Sequence, residues 1–154
     1  MIMKSTIEQY DMILEALVNE LKSFYGERLI SAAVFGSVGR RTPNYNSDID
    51  ILIIAKKLPF GRKKRVKEFG LVEKKLEPLI VSIKNSGINT YISPVIKTPE
   101  EAAAGSPLFL DMTLDAKILI DNGDFFANKL KNLRKRLSIL GSKRIHMGNA
   151  FFGT

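Results

Sequence analysis

The sequence predicts an α/β domain with a mixed β-sheet of about four strands flanked by helices. Short aliphatic runs typical of buried strands alternate along the chain with longer segments whose apolar residues recur every three or four positions, as in amphipathic helices. A proline inside the third aliphatic run favours a sheet edge, and a mixed sheet over a purely parallel one. With 154 residues, 45% hydrophobic and 26% charged, the chain has the composition of one ordinary globular domain.

The first half of the chain predicts the order helix, strand, strand, helix. The first helix is expected over residues 5–25, capped by Ser5 or Thr6, because its apolar residues form a helical stripe. Residues 29–35 and 48–55 read as two buried strands. A long helix is expected over residues 62–85, although Gly70 and Pro78 should weaken or kink it.

The second half predicts two more strands and three helices. Residues 89–96 form the third strand, and Thr98 caps a short helix after it. A second short helix over 108–114 leads into a fourth strand that ends near residue 121. The last helix is expected over 124–140, with Gly141 as its stop. We therefore predict a single domain over 1–154, with a core of about 5–121 and a C-terminal helix and tail at 124–154.

Composition narrows the classes of function. The chain has no cysteine, which excludes disulfides and thiolate metal sites, and a single histidine. Its net charge of +8 favours anionic partners such as nucleotides, nucleic acids or an acidic protein face. No apolar run reaches the length of a signal peptide core or a membrane span, so a cytoplasmic protein without a membrane partner is expected.

Two aspartates, Asp48 and Asp50, stand one residue apart at the start of the second predicted strand. Successive side chains of a strand alternate between faces, so both carboxylates fall on one side and the intervening Ile49 on the other. Neighbouring carboxylates repel each other, and none of the flanking residues is a cation. A divalent ion is the simplest partner, and oxygen ligands of this kind suit Mg²⁺ or Mn²⁺ better than zinc.

A phosphate site is expected just after the first strand. Gly36 lets the backbone turn closely and present N–H groups, and Ser37 adds a hydroxyl donor. Arg40 and Arg41 follow within a turn, and guanidinium groups bind phosphate with two hydrogen bonds. An anion site beside paired metal ligands predicts metal-assisted phosphoryl chemistry.

The spacing of Gly36-Ser37, ten residues, and Asp48-x-Asp50 followed by an aliphatic run resembles the DNA polymerase β nucleotidyltransferase superfamily, most closely its minimal nucleotidyltransferase domains. The resemblance also covers the order of elements to about residue 96 and implies the polymerase β-like fold. By this resemblance the phosphate-binding residues are Gly36, Ser37 and Arg40, and the catalytic metal ligands are Asp48 and Asp50. Gly39 stands where alanine is frequent in this family, and Arg41 where glycine is frequent.

One departure from the family pattern concerns a third carboxylate. Active members usually carry it on the strand after the long helix, but residues 89–96 contain no Asp or Glu. Glu100, Glu101 and Asp111 are the candidates to replace it. Helix-dipole or surface roles explain the first two equally well, and a half-buried structural role explains Asp111.

The function expected is a Mg²⁺-dependent or Mn²⁺-dependent transfer of a nucleoside monophosphate from an NTP, with ATP preferred, to a hydroxyl of a protein or small molecule. The resemblance to minimal domains favours such acceptors over templated polymerisation, and some relatives are antitoxins that modify a HEPN-type protein partner. Two alternatives stay open: an inactive nucleotide-binding or partner-binding protein, and a basic nucleic-acid-binding module.

Three further features carry alternative readings. The basic clusters at 62–67 and 129–136 fit a nucleic-acid track, an acidic partner or ordinary solvent-facing helix surfaces. Asp121 and Asp124 are read as turn and helix-cap residues, and His146 as structural or solvent-facing. Phe151 and Phe152 in the tail are expected to pack on the body or on a second subunit, a hint of a homo-oligomer.

Overall fold

The computed structural model describes residues 4–146, with side chains as far as Gly141. Ten helices and strands are named here, in chain order: α1 (Thr6–Tyr25), β1 (Leu29–Phe35), α2 (Gly36–Gly39), β2 (Ile49–Ala55), α3 (Arg62–Lys84), β3 (Ile92–Lys97), α4 (Pro99–Ala104), α5 (Leu108–Asp115), β4 (Lys117–Asp121) and α6 (Phe125–His146). The elements predicted from the sequence are observed in the predicted order, and the short helix α2 between the first two strands was not predicted.

The four strands form one mixed sheet in the order β3-β2-β1-β4. Strand β1 runs antiparallel to both β2 and β4, whereas β2 and β3 are parallel. Strand β3 is an edge strand, so Pro94 removes no hydrogen bond from the interior of the sheet. The predictions of a mixed four-stranded sheet and of Pro94 at its edge are both confirmed.

Alternation along β2 divides the core between the two faces of the sheet. Ile49, Ile51 and Ile53 are buried in the cluster that includes the apolar stripes of α1 and α3. Leu52 and Ile54 face the opposite cluster, which α4, α5 and α6 supply. Because every isoleucine and leucine of β2 is almost fully buried, the strand is fixed in register and its N-terminal end is held in place from both sides.

Helix termini follow the predicted signals with one exception. Ser5 and Glu8 form a capping box at α1, and Thr98 and Glu101 form one at α4. Helix α3 continues through Gly70 and Pro78. The predicted stop of the last helix at Gly141 is wrong: α6 runs to His146, because an isolated glycine costs a helix only about 1 kcal/mol.

The turn before α6 confirms the reading of Asp121 as a cap. Its carboxylate accepts hydrogen bonds from the backbone N–H groups of Phe126 and Ala127, at 2.9 and 2.8 Å, and from the Ser31 hydroxyl at 2.6 Å. Phe151 and Phe152 lie outside the described residues, so the oligomer suggested by the tail stays a prediction. No helix within residues 4–146 is both long and apolar enough to span a membrane.

Arg65 is a buried cation that ties α3 to the end of β3 and to α4. Its guanidinium donates to the carbonyls of Pro59 and Ile96, at 2.8 and 3.3 Å, and to the Glu101 carboxylate at 2.6 Å. Glu101 also accepts from the backbone N–H of Thr98 at 2.8 Å. One carboxylate therefore both caps α4 and neutralises a buried charge, which explains Glu101 as a structural residue.

We predict that Glu101→Gln lowers the free energy of unfolding by about 1 kcal/mol at neutral pH, because it removes the charge facing Arg65 from a partly exposed pair. The hydrogen bond from Arg65 is the main cause that holds the pKa of Glu101 below 4.5. A carboxyl whose pKa is lower in the folded state stabilises the protein above its unfolded pKa and loses this contribution as the pH falls.

Urea titrations at several pH values would measure this effect, with Glu100→Gln as the control because it removes the same charge from an exposed neighbour. The difference between wild type and Glu101→Gln should shrink as the pH drops below 4.5. A difference that did not change with pH, or one equal to that of Glu100→Gln, would contradict the assigned role.

Candidate active site

The two aspartates lie at the N-terminal end of β2, in the middle of the sheet. Asp50 pairs with Phe35 of β1 on one side and with Ser93 of β3 on the other. Strand β2 begins at Ile49, one residue later than predicted, so Asp48 immediately precedes it. Both aspartates are half-buried. The two carboxylates are near enough for the charge of Asp48 to act on Asp50, as expected for side chains two residues apart along an extended chain.

The electrostatics of the pair favour a cation. Burial raises the pKa of Asp50, and the charge of Asp48 raises it further. None of the ion pairs formed within the described part of the chain includes either carboxylate. Two oxygen ligands on one face, without a protein cation to neutralise them, suit an ion such as Mg²⁺ that keeps several waters and shares its coordination with phosphate oxygens.

Gly36 brings the predicted phosphate turn into direct contact with Asp50. Its φ is +67°, which side chains rarely tolerate, and a Cβ built on it would lie 2.6 Å from Oδ2 of Asp50. Any side chain at this position would occupy the space in front of the carboxylate. The structure thus places the glycine turn and the aspartate pair in one site.

Helix α2 begins at this glycine and follows β1 without a loop. The first N–H groups of a helix have no acceptor within the helix, so those of α2 are free to face an anion beside Asp50. Ser37 is half-buried in the same turn. A Cβ on Gly39 would lie 2.3 Å from the carbonyl oxygen of Asp115 and 2.7 Å from that of Val34, so the alanine frequent in the family would not fit here.

The two arginines after this turn are engaged by carboxylates. Arg40 lies 3.0 Å from the Asp115 carboxylate and is exposed. Arg41 pairs through two nitrogens with Asp11 of α1, and this hydrogen bond is the main cause that lowers the pKa of Asp11. Arg40 would have to leave Asp115 to bind a phosphate, and its predicted role as a phosphate ligand stays a prediction.

The third carboxylate is not found in the strand beside Asp50. Asp50 faces Ser93 across β2 and β3, and Glu100 and Glu101 follow the far end of β3, where Lys97 pairs with Ile54. Asp111 is exposed on α5, so its predicted half-burial is wrong: it lies on the solvent side of a helix that buries Phe109 and Met112. Among the side chains described, residues 4–141, no group of three or more His, Asp or Glu could hold a metal.

Tyr91, the residue immediately before β3, lies next to the aspartates. Its hydroxyl donates a hydrogen bond to Asp48, and this bond, followed by the charge of Asp48, raises the pKa of the phenol. The backbone carbonyl of Tyr91 accepts from Ile49 N–H at 2.9 Å, which fixes its position beside the pair. The sequence pattern gave no sign of this contact, because it depends on the register of β3 against β2.

Tyr10 positions the segment that precedes Asp48, although the sequence marked it only as a core residue of α1. It is 1% exposed, and its hydroxyl donates to the carbonyl of Ser47 at 2.7 Å and lies 3.0 Å from that of Asn44. The Thr90 hydroxyl donates to the same Ser47 carbonyl at 2.7 Å. Helix α1 and the segment before β3 thus hold the backbone next to the first aspartate.

We predict that Gly36→Ala weakens binding of a Mg²⁺–nucleotide complex about tenfold or more, because its methyl group meets the Asp50 carboxylate. Its positive φ should also lower the free energy of unfolding by about 1–2 kcal/mol. Calorimetric titration with a non-hydrolysable ATP analogue would measure the binding. Gly123→Ala is the control, since its φ is +62° and a Cβ there meets nothing within 4 Å. Equal nucleotide affinity of the two variants would contradict this geometry.

We also predict opposite effects of two Tyr→Phe substitutions at buried tyrosines. Tyr10→Phe should lower the free energy of unfolding by about 1 kcal/mol through its lost hydrogen bonds, and should slow nucleotide transfer. Tyr25→Phe should leave stability unchanged or raise it, because within the described residues the Tyr25 hydroxyl is buried without a hydrogen-bond partner. Burial is also the main cause that raises the pKa of Tyr25 to about 12. Denaturant titrations and transfer rates would test the pair; equal effects of both changes would argue against a positioning role for Tyr10.

Comparisons with known proteins agree on the family. The family model described as nucleotidyltransferase domain matches residues 14–120. A curated protein of Methanocaldococcus jannaschii, named "Putative protein adenylyltransferase MJ1305", is 34% identical over 125 residues, which are 79% of each chain.

Solved structures share the fold at lower sequence identity. A toxin-antitoxin structure with AMP-PNP aligns with a TM-score of 0.51 at 18% identity, over 86% of this chain and 93% of that one. Spectinomycin adenyltransferase AAD(9) from Enterococcus faecialis, with ATP and spectinomycin, aligns with a TM-score of 0.51 at 18% identity, over 80% of this chain and 59% of that one. The resemblance inferred from the motif is confirmed: the chain belongs to the nucleotidyltransferase domain family and is a nucleotidyltransferase.

Proposed function

We propose that this nucleotidyltransferase uses Mg²⁺ or Mn²⁺ to transfer AMP from ATP to a hydroxyl of a protein. The observation that carries the proposal is the contact between the Gly36 turn and the Asp50 carboxylate, because it sets a phosphate-binding backbone against a pair of metal ligands. The bound ion would neutralise charge on the phosphate oxygens. An ATP-dependent reaction also fits the cytoplasmic location predicted from the sequence.

Each part of the site has a role in this proposal. Asp48 and Asp50 hold the cation, and the N–H groups at Gly36 together with the Ser37 hydroxyl hold the β and γ phosphates. An acceptor hydroxyl attacks the α-phosphorus, its proton is lost, and pyrophosphate leaves. Tyr10 and the register of β2 keep the carboxylates in place while the phosphates bind.

A protein acceptor is favoured over a small molecule by the relative at 34% identity, whose name is that of a protein adenylyltransferase. One of the solved structures that share the fold is that of a toxin-antitoxin. This likeness of fold supports a toxin partner, and we propose a HEPN-type protein encoded beside this chain as the first candidate.

We predict that the purified chain transfers the labelled AMP group of ATP to such a partner, and that Asp48→Asn combined with Asp50→Asn reduces the transfer to background. Gel autoradiography with Mg²⁺, with Mn²⁺ and with EDTA would measure it. Asp111→Asn is the matched control, because it neutralises an exposed carboxylate on α5. Transfer that survived the double substitution would refute the assignment of the site.

The missing third carboxylate supports a second candidate, an inactive nucleotide-binding or partner-binding protein. It predicts nucleotide binding without label transfer to any acceptor.

A basic nucleic-acid-binding module is less well supported, because Arg65 turns into the protein and Lys129 and Arg134 bond to the carbonyls of Ala103 and Thr113. It predicts salt-dependent binding to RNA or DNA that survives the double Asp→Asn change.

A further inference from the structure

Tyr91 places an exposed phenol directly against the first aspartate of the site. Ile92 pairs with Ile49 in the parallel ladder, so Tyr91, the residue before β3, stands beside Asp48, the residue before β2. The side chain is 63% exposed and lines one groove together with Asp48. A nucleophilic side chain is thus held where the strand would usually supply a carboxylate.

The chain's other three tyrosines are placed differently. Tyr10 and Tyr25 are 1% and 2% exposed, within the core. Tyr45 is 60% exposed, but its side chain lines a separate groove with Ser5 and Ser86. Tyr91 alone among the four combines exposure with contact to an aspartate of the site.

The strand order β3-β2-β1 places the Gly36 turn and Tyr91 on opposite sides of the aspartate pair. The Gly36 turn lies beside Asp50 on the β1 side, and Tyr91 lies beside Asp48 on the β3 side. The attacking and leaving oxygens of a phosphoryl displacement are roughly in line. With pyrophosphate held at the Gly36 turn, the attacking oxygen would therefore come from the β3 side. The Tyr91 hydroxyl lies on that side.

Space for the product adjoins this hydroxyl. Asp48 and Tyr91 share a groove of about 450 Å³ with Ile80, Val81, Ile88 and Lys84. The apolar side chains can pack against one face of an adenine, and the lysine can pair with a phosphodiester. The volume of the groove is typical of ligand sites. A nucleotide attached to Tyr91 would therefore have a place to pack.

We propose that Tyr91 is a self-adenylylation site, an inference that rests on the nucleotidyltransferase function proposed above. The phenol oxygen of Tyr91 forms a bond to the α-phosphorus of ATP, and the bond from that phosphorus to the oxygen bridging to the β-phosphorus breaks. Pyrophosphate leaves with the electron pair of that bond, and the phenol proton passes to water. The product is one AMP group on the chain, placed against Asp48, so the modification occupies the site that made it.

The test uses the whole chain incubated alone with ATP and Mg²⁺ or Mn²⁺, followed by denaturation and intact-mass spectrometry. Wild type should gain the mass of one AMP, or carry it already as purified, and fragmentation should place it on Tyr91. Tyr91→Phe and the double Asp→Asn variant should gain nothing. Tyr45→Phe, which removes a phenol of similar exposure, should be modified like wild type.

The outcomes separate this inference from the proposed function. Wild type that binds an ATP analogue and modifies a partner protein but gains no AMP itself would overturn self-adenylylation and leave the function standing. An adduct at another residue, or full labelling of Tyr91→Phe, would overturn it too. Loss of labelling on every acceptor, this chain included, would refute both. Labelling at a rate per chain that does not depend on protein concentration supports transfer within one molecule, and a rate that rises with concentration would contradict it.

Discussion

The site depends on the register between β1 and β2. Pairing of Phe35 with Asp50 places Gly36, the next residue, against the Asp50 carboxylate, at a distance that leaves no room for a Cβ. A shift of one residue would turn both aspartates into the apolar face and carry the glycine turn away from them. The isoleucines on either side of Asp50 prevent that shift, because each is fully buried in the core. The apolar core of the sheet therefore sets the geometry of its polar end.

This dependence explains why both the fold and the aspartate pair could be predicted from the sequence. The alternation in β2 that separates Asp50 from Ile49 and Ile51 is a local property of an extended chain, and so is the glycine that ends β1. Helix caps such as Ser5 and Thr98 are equally local. Pro94 indicated an edge strand through its missing N–H alone, and β3 is indeed at the edge.

Contacts between distant segments could not be predicted in this way. Tyr10 contacts the backbone at Ser47 through packing of α1 on the sheet, and Arg65 turns away from its basic neighbours because a carboxylate and two carbonyls surround it. The Tyr91 contact with Asp48 requires the register of β3. The predicted end of α6 was wrong for a different reason. Gly141 has only a weak local preference against helix, and the rest of the helix outweighs it.

The central claim, a cation between Asp48 and Asp50 with phosphates at the Gly36 turn, is tested most directly by a crystal structure with Mn²⁺ and a non-hydrolysable ATP analogue. The account predicts an anomalous peak within coordination distance of both carboxylates. It also predicts the β and γ phosphates within hydrogen-bond distance of the backbone N–H groups at Gly36 and Ser37. A nucleotide bound elsewhere, or manganese that contacts neither aspartate, would contradict it.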